Sequence, residues 1–416
     1  MSGAFLVPGF RTAFVKAGGA FAKHNAIALS VPVMAAMNAR ARPDFVIWGQ
    51  VIPDATVSNI ARELIFEAKM SPEIPAFSTV MACSTSFIGA IEAAGMVGHG
   101  DFHLALVGGV ETMSHVPLAL KAQFADGVLG RFAKDPAGAL EVLQKVTPQD
   151  FDLPIHGWAN RQSGRSMGEH TEDTAKRFAI PRADQDKRAL LSHQGAIAGQ
   201  DAGFFTDIVI PFDGTDHDTI ARRDTSLEKL AALKPAFDHS GQGTLTAGNS
   251  SPNTDGAAAI WVADTEGLQR LGNPPAVRLV DWQVQAMDYH EEGILMAPAR
   301  GIPRLLARNR LKFSDIQSWN IHEAFAAQVL ANVKAASDPA YRREKAHVDF
   351  DLGEFPWERL NPHGGSLAIG HPFAATGARI LSQAAKEMAA MTPGSRGVVS
   401  VCADGGHGTV ALLERA

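Results

Sequence analysis

The sequence predicts a mixed α/β protein, and three observations carry that reading. Short apolar runs of strand length end at a tight transition, as in Phe45-Val-Ile-Trp-Gly49, Ala105-Leu-Val-Gly-Gly109 and Arg396-Gly-Val-Val-Ser-Val-Cys402. Between them lie segments of helical periodicity, such as Asn59–Ala68 and Ser84–Val97. Thirty-nine glycines, with abundant alanine, punctuate the alternation. At 416 residues the chain exceeds one ordinary domain, so two or more are expected.

Composition narrows the class. Apolar residues at 46% and charged residues at 20% suit a chain with a sizeable core and exclude a disordered one. With 38 basic against 44 acidic residues and a net charge of -6, nucleic acid is excluded as a partner. Only two cysteines occur, Cys83 and Cys402, which points to a reducing compartment rather than a disulfide scaffold. Met1–Phe10 lacks the basic and apolar blocks of a signal peptide, and no apolar run approaches the ~20 residues of a membrane span. A cytoplasmic location follows as an expectation.

From about Val116 to Thr246 the strand-like runs thin out and polar, amphipathic helical patterns take over, as in Ala137–Val146 and Ala183–Ala198. This stretch reads as an insertion carried on the α/β frame, a lid or ligand-gripping subdomain. Ser337–Pro362 is polar and punctuated by proline, and reads as surface.

Four segments carry residues suited to chemistry. Cys83 lies in Ser78-Thr-Val-Met-Ala-Cys-Ser-Thr-Ser-Phe-Ile, where an apolar strand is expected to give way to a helix. Free N–H groups and the helix dipole at such a place favour thiolate, the nucleophilic form. A buried structural cysteine is the alternative. His371 lies in Gly364-Gly-Ser-Leu-Ala-Ile-Gly-His-Pro-Phe, where glycines allow close backbone approach to a ligand. It suits a general base, or a loop histidine bonded to backbone. His363 is eight residues away, and nothing there has metal-ligand spacing, so no metal site is expected. Cys402 ends a strand at the Asp404-Gly-Gly turn. His322, in His322-Glu-Ala-Phe, follows the strand-like Ser318-Trp-Asn-Ile and opens an apolar helix. An exposed imidazole there is an oxyanion donor or a helix cap.

Together these segments resemble the thiolase family, nearly end to end. Arg11-Thr-Ala-Phe, Gly108-Gly-Val-Glu-Thr-Met-Ser, Ser166-Met-Gly-Glu-His-Thr-Glu-Asp, Glu228-Lys-Leu-Ala-Ala-Leu-Lys-Pro-Ala-Phe, Ala247-Gly-Asn-Ser-Ser and Asp255-Gly-Ala-Ala-Ala are similar to family blocks and occur in the family's order. The resemblance implies Cys83 as acyl-accepting nucleophile and His371 as the base for Cys83 and later for coenzyme A. It implies Cys402 as the acid at the acetyl α-carbon, and His322, where most thiolases have asparagine, as a holder of the enolate oxygen. It further implies Arg222 near the coenzyme A adenine and Ser251 on the pantetheine path. The H-E-A-F, G-G-S and H-P-F-A-A-T-G-A-R segments resemble the thiolase subunit of multienzyme fatty-acid oxidation systems.

Departures from the pattern are Ala13 for proline, Ala374 for glycine, and Asp404, where the family commonly has glycine or alanine. The Asp404 backbone N–H is implied as half of an oxyanion hole with that of Cys83. A carboxylate there repels a forming oxyanion unless it points away.

The implied activity is reversible cleavage of 3-ketoacyl-CoA, with coenzyme A as co-substrate and no permanently bound cofactor. A decarboxylating ketoacyl synthase shares the fold and a Cys-His-His set, but has no need of a second cysteine acid, which Cys402 supplies. A non-catalytic acyl-CoA carrier is disfavoured by retention of all four residues. The implied architecture is two similar halves, each a five-stranded mixed sheet, stacked in five layers. Residues 1–117 with 247–275 form the first half, 276–416 the second, and 118–246 the insertion capping the site. A homodimer or tetramer is implied, with a hydratase/dehydrogenase α subunit as a further partner.

Overall fold

A computed structural model of the chain describes residues 3–152 and 159–416, so part of the expected insertion (153–158) lies outside the described residues. The described strands are β1 (Ala4–Thr12), β2 (Val15–Lys16), β3 (Phe45–Gly49), β4 (Ala76–Phe77), β5 (Leu104–Thr112), β6 (Ala119–Leu120), β7 (Phe151–Asp152), β8 (Val209–Ile210), β9 (Thr254–Ala263), β10 (Val277–Ala286), β11 (Ser318–Ile321), β12 (Arg396–Ala403) and β13 (His407–Arg415). Nine of these follow the order β11-β12-β13-β10-β1-β9-β5-β3-β4, with β2 beside β9 and β8 beside β1.

This order divides at the β1–β10 contact, where three residue pairs meet: Ala4–Leu279, Phe5–Arg278 and Leu6–Val277. One pattern recurs on both sides. In the first half β3 runs parallel to β4 and β5, and β9 runs antiparallel to β5 and β1. In the second half β11 runs parallel to β12, and β13 runs antiparallel to β12 and β10. The place of β4 is taken there by a single parallel bridge between Trp319 and Leu360.

One expectation is corrected. The second half has four strands and a bridge instead of five strands, because Asn361 turns into the left-handed region (φ +47°) and Pro362 offers no N–H to continue a ladder. The two sheets are hydrogen-bonded edge to edge through β1 and β10.

The layers follow from which helices each sheet buries. Strands β5 and β9 are buried along their whole length because helices cover both faces, so Leu104–Val110 and Gly256–Ala263 carry no polar side chain, and the polar Glu111, Thr112, Thr254 and Asp255 cluster at one end. The Ala26–Arg40 and Ile60–Glu67 helices cover one side of the first half, and the Thr85–His99 helix packs on β3, β5 and β9. The Thr376–Ala389 helix packs on β1 and β9 and also on β11 and β12, so it lies between the halves. It touches the Thr85–His99 helix closely enough that a Cβ on Gly377 would sit 2.3 Å from the Phe87 nitrogen. The Ala297–Arg308 helix, with Ala326–Ser337 beside it, covers the second half. Helices and sheets thus alternate in five layers, with Cys83 and His371 both just ahead of the central helices.

The stretch 118–246, read from the sequence as an insertion, carries the helices Ala122–Phe132, Pro136–Leu143, Met167–Arg177, Leu227–Ala231 and, longest, Arg182–Asp201. The last buries Gln185, Asp186, Arg188, Ser192 and His193, so it docks through hydrogen bonds and lacks an apolar stripe. A buried two-bond ion pair of Arg11 on β1 with Asp218 (2.6 and 2.7 Å) ties the insertion to the frame. Ser337–Pro362 is not purely surface: Leu352 and Phe355 enter the second-half core beside Phe313 and Trp319. No helix among the described residues is long and apolar enough to cross a membrane.

Candidate active site

The strand expected before Cys83 is only the two-residue β4. Ser78 and Thr79 instead bond sideways to Asn59 (3.0 Å) and Glu92 (3.2 Å), and the Met81 N–H donates to Thr85 Oγ1 (2.9 Å), so local side-chain bonds replace a ladder. Ala82 takes φ +44°, a strained setting for a residue with a Cβ, and presents Cys83 on a single 3₁₀ turn at the head of the Thr85–His99 helix.

His371 approaches from the other half. Gly370, at φ +109°, passes so close to Thr254 that an added Cβ would lie 2.8 Å from its side chain. The His371 N–H donates to Thr254 Oγ1 at 2.8 Å. On the ring, Nδ1 is 2.7 Å from Thr376 Oγ1, whose own hydroxyl donates to the Pro372 carbonyl at 3.1 Å. Thr376 Oγ1 therefore accepts from Nδ1–H. That leaves Nε2 bare, 3.2 Å from Cys83 Sγ, as a base must be.

Protonation at rest differs from the sequence expectation of a thiolate. Burial, seconded by the Asp404 carboxylate, pushes the Cys83 thiol up to about 12, against the pull of the Cys83 and Asp404 backbone N–H groups. Burial, then the Arg379 charge, holds His371 down to about 3. The helix dipole is outweighed by desolvation and a like charge. The resting pair is a thiol donating to a neutral imidazole.

His322 is buried, where an exposed ring was expected, because the turn after β11 tucks beneath the His371 loop. The Ala326–Ser337 helix begins four residues later, so His322 does not cap it. Its Nδ1 is 2.9 Å from Ser366 Oγ, and its ring centroid is 4.2 Å from that of His371. The donor atoms of Cys83, His322 and His371 all lie within 4.8 Å of one another. These are also donors that a soft metal ion takes, but Cys83 and His371 are already engaged with each other.

Cys402 is buried at the end of β12, and burial, then Cys83, pushes its thiol well above the usual range. Ser84, next to Cys83, donates to the carbonyl of Val401, next to Cys402, at 3.2 Å. The Asp404 carboxylate accepts from Asn160 Nδ2 (2.9 Å) and from the Gly405 N–H (2.6 Å), which hold its orientation.

Of the two residues implied for coenzyme A, Ser251 is half-buried and its N–H donates to the Ala324 carbonyl (2.9 Å), beside the His322 turn. Arg222 is exposed, with its backbone N–H on His193 Nδ1 at 3.2 Å, and is not part of the Cys83 cluster.

Several residues of the site escaped the sequence reading. Buried Glu323 accepts from Ser192 (2.6 Å) and Asn361 (2.7 Å) and so joins the insertion to the His322 turn. Buried Glu111 accepts from the Val51, Ile52 and Ala374 N–H groups, and burial pushes its carboxyl up to about 7. Thr376, Ser366 and Arg379 lie in the very segment singled out for His371. Their signal was a hydroxyl five residues on either side of a histidine, too common to single out alone.

Residues 4–266 match the model of the thiolase N-terminal domain, and residues 273–415 that of the thiolase C-terminal domain. A probable 3-ketoacyl-CoA thiolase of Caenorhabditis elegans is 35% identical over 98% of this chain and 93% of its own length. The 3-ketoacyl-CoA thiolase of Shewanella sediminis is 33% identical over 98% of this chain and 96% of its own. Among solved structures, the acetyl-CoA acetyltransferase of Bacillus anthracis superposes with a TM-score of 0.82 at 26% identity, covering 100% of this chain and 99% of that one. A thiolase of Ascaris suum in complex with coenzyme A gives 0.81 at 24% identity over the whole of both chains. With both family models matched across a duplicated fold that carries a Cys-His-His cluster between its halves, the chain belongs to the thiolase family of acyltransferases.

Proposed function

We propose that this chain cleaves 3-ketoacyl-CoA with coenzyme A, giving acetyl-CoA and a shortened acyl-CoA through a thioester on Cys83, and that it serves fatty-acid β-oxidation. The observation that carries the reading is the Cys83 Sγ to His371 Nε2 contact of 3.2 Å. It joins a nucleophile to a base whose proton sits on the far nitrogen.

In the proposed cycle His371 Nε2 takes the Cys83 proton as sulfur adds to the 3-keto carbon. The backbone N–H groups of Cys83 and Asp404 face the developing alkoxide. Collapse breaks the bond between the α- and β-carbons and releases the acetyl-CoA enolate, whose oxygen meets the His322 Nε2 side of the site. Cys402 protonates the enolate carbon and regains its proton from the His371 imidazolium. Neutral His371 then deprotonates coenzyme A, whose sulfur displaces the acyl group, and the imidazolium returns its proton to Cys83. Protons balance over the two half-reactions, which predicts ping-pong kinetics. The reverse sequence is a Claisen condensation by the same groups.

Ser251, beside the His322 turn, and Arg222, exposed on the insertion, are proposed contacts for coenzyme A. Domain boundaries are proposed at 1–117 with 247–275, at 118–246 and at 276–416. A homo-oligomer and a hydratase/dehydrogenase partner are proposed too. Exposed Leu129, Phe132 and Leu140 on the paired helices Ala122–Phe132 and Pro136–Leu143 offer an apolar face for a partner. Co-purification that returns only the homo-oligomer would count against the second partner.

The test is thiolysis of acetoacetyl-CoA and 3-ketopalmitoyl-CoA beside a Cys83→Ser variant. Activity on the long chain that the substitution abolishes supports the reading. Activity on acetoacetyl-CoA alone moves the enzyme out of fatty-acid oxidation, and absence of both in protein that binds coenzyme A overturns it.

A further inference from the structure

We infer that Arg379 and Ser366 are positioning residues that fix the tautomer of His322, so that its Nε2–H is presented to the reacting oxygen as a hydrogen-bond donor. This rests on the proposed thiolase reading of the site and adds how the second histidine acquires its role.

Donors and acceptors fix the direction of each bond. A guanidinium donates only, so Arg379 Nη2, 2.7 Å from Ser366 Oγ, makes that oxygen an acceptor. Ser366 Oγ is also 2.9 Å from His322 Nδ1. If Nδ1 carried the hydrogen, Ser366 would receive two N–H bonds, and its own hydroxyl hydrogen would have no acceptor among the described residues. Ser366 is fully buried, so such an orphan is costly. The opposite arrangement uses every group once: Arg379 donates to Ser366, and Ser366 donates to a bare Nδ1. A neutral imidazole with a bare Nδ1 carries its hydrogen on Nε2.

Two further observations agree. His322 Nε2 is buried with no protein partner, as a donor kept for a ligand oxygen would be. Burial, then the neighbouring His371 and Arg379, holds the ring's pKa well below its usual value, which excludes the doubly protonated form. Arg379 is itself 3% exposed and in no ion pair among the described residues, with Ser366 and Gln383 as its polar contacts. A guanidinium buried without a carboxylate is an expensive packing residue, and its direction of donation gives it a use.

His371 is set the opposite way by the same device. Its hydroxyl partner, Thr376, donates its hydrogen to the Pro372 carbonyl and accepts from Nδ1–H. Two imidazoles 4.2 Å apart are thereby given different tasks, a base at one Nε2 and a donor at the other.

The test is nitrogen-15 NMR of the full-length protein labelled at histidine, with His322 assigned by its loss in a His322→Asn variant. The expected spectrum has the His322 hydrogen on Nε2 in the wild type, with Ser366→Ala giving a mixture of tautomers and Ser366→Thr retaining the wild-type signal. In thiolysis, Ser366→Ala should lower kcat by up to about 10²-fold, the lower end of the roughly 10²- to 10³-fold cost of a lost oxyanion donor because part of the population keeps the productive tautomer, while KM changes less than about twofold. Arg379→Lys, which keeps a donor, should retain more activity than Arg379→Met.

A His322 hydrogen on Nδ1 in the wild type overturns the inference, as does a Ser366→Ala variant with unchanged kcat and tautomer. The wild-type spectrum needs no variant other than the assignment control, so it decides the tautomer even where a Ser366→Ala chain fails to fold. It also does not depend on turnover, so an inactive wild type would defeat the thiolase reading and leave the measured tautomer as it is.

Discussion

The imidazoles of His322 and His371 lie 4.2 Å apart, and the hydroxyls of Ser366 and Thr376 hold them in opposite tautomers. Splitting a carbon–carbon bond beside a ketone needs a base and an oxyanion donor within one small volume. Two histidines differ in role here because their hydroxyl partners send their hydrogens to different places. Neither ring has to change its charge at rest to be ready.

Removing the hydroxyl that sets the base should disarm it. Thr376→Val leaves His371 Nδ1–H without its acceptor and frees the ring to turn or exchange tautomers. We expect kcat for thiolysis to fall about 10²-fold with KM little changed. Steady-state kinetics decide, and a rate within twofold of wild type contradicts the assignment.

The protonation of Cys83 has a direct readout in alkylation. With the thiol pushed up to about 12, the iodoacetamide rate at the Cys83 peptide should still be rising at pH 9, without a plateau in the neutral range. Asp404→Asn removes a negative charge that opposes thiolate. The profile should then move to lower pH by about one unit, so that alkylation at pH 8 is faster. A plateau below pH 8 in the wild type would show a resting thiolate instead.

The Arg11–Asp218 pair makes a stability prediction. Both side chains are buried, and Asp218 also accepts from the Phe14 N–H at 2.7 Å. Asp218→Ala strands a buried guanidinium and an N–H, and should cost about 3–5 kcal/mol in urea unfolding. A loss below about 1 kcal/mol would mean that the insertion is held to β1 by other contacts.

Glu111 should leave a mark on the pH dependence of stability. Its carboxyl is raised from 4.5 to about 7 in the folded chain by burial, so the folded state holds a proton that the unfolded state has released. The sign is fixed by that order: this group's contribution is fully present below pH 4.5 and is lost as pH rises toward 7. Glu111→Gln abolishes the titration, so the wild type should lose stability relative to the variant over that window. Denaturant midpoints at pH 5 and pH 8 measure it, and parallel profiles would refute it.

Half of the four reactive residues, His371 and Cys402, were legible because glycines mark the places where backbone must approach closely. Cys83 and His322 were instead singled out at expected strand-to-helix transitions, and the fold brings Cys83, His322 and His371 into one cluster. What could not be read was the state of these groups. A helix N-terminus at Cys83 argued for thiolate, but burial and Asp404 come from elements distant in sequence and win. The exposure of His322 was misjudged for the same reason: what covers it, the His371 loop, arrives some 50 residues later, and no local pattern reports it. The missing strand of the second half was hidden in a proline-punctuated stretch, and β4 in a segment whose hydroxyls prefer side-chain partners.

The central claim is that Cys83 carries the acyl group. The most direct measurement is intact-protein mass spectrometry after mixing with acetoacetyl-CoA in the absence of free coenzyme A. The expected result is the mass gain of one acetyl group, mapped to the Cys83 peptide, with release of acetyl-CoA and discharge on adding coenzyme A. An acetyl group on another residue, or acetyl-CoA formed by a Cys83→Ser variant at the wild-type rate, would contradict it.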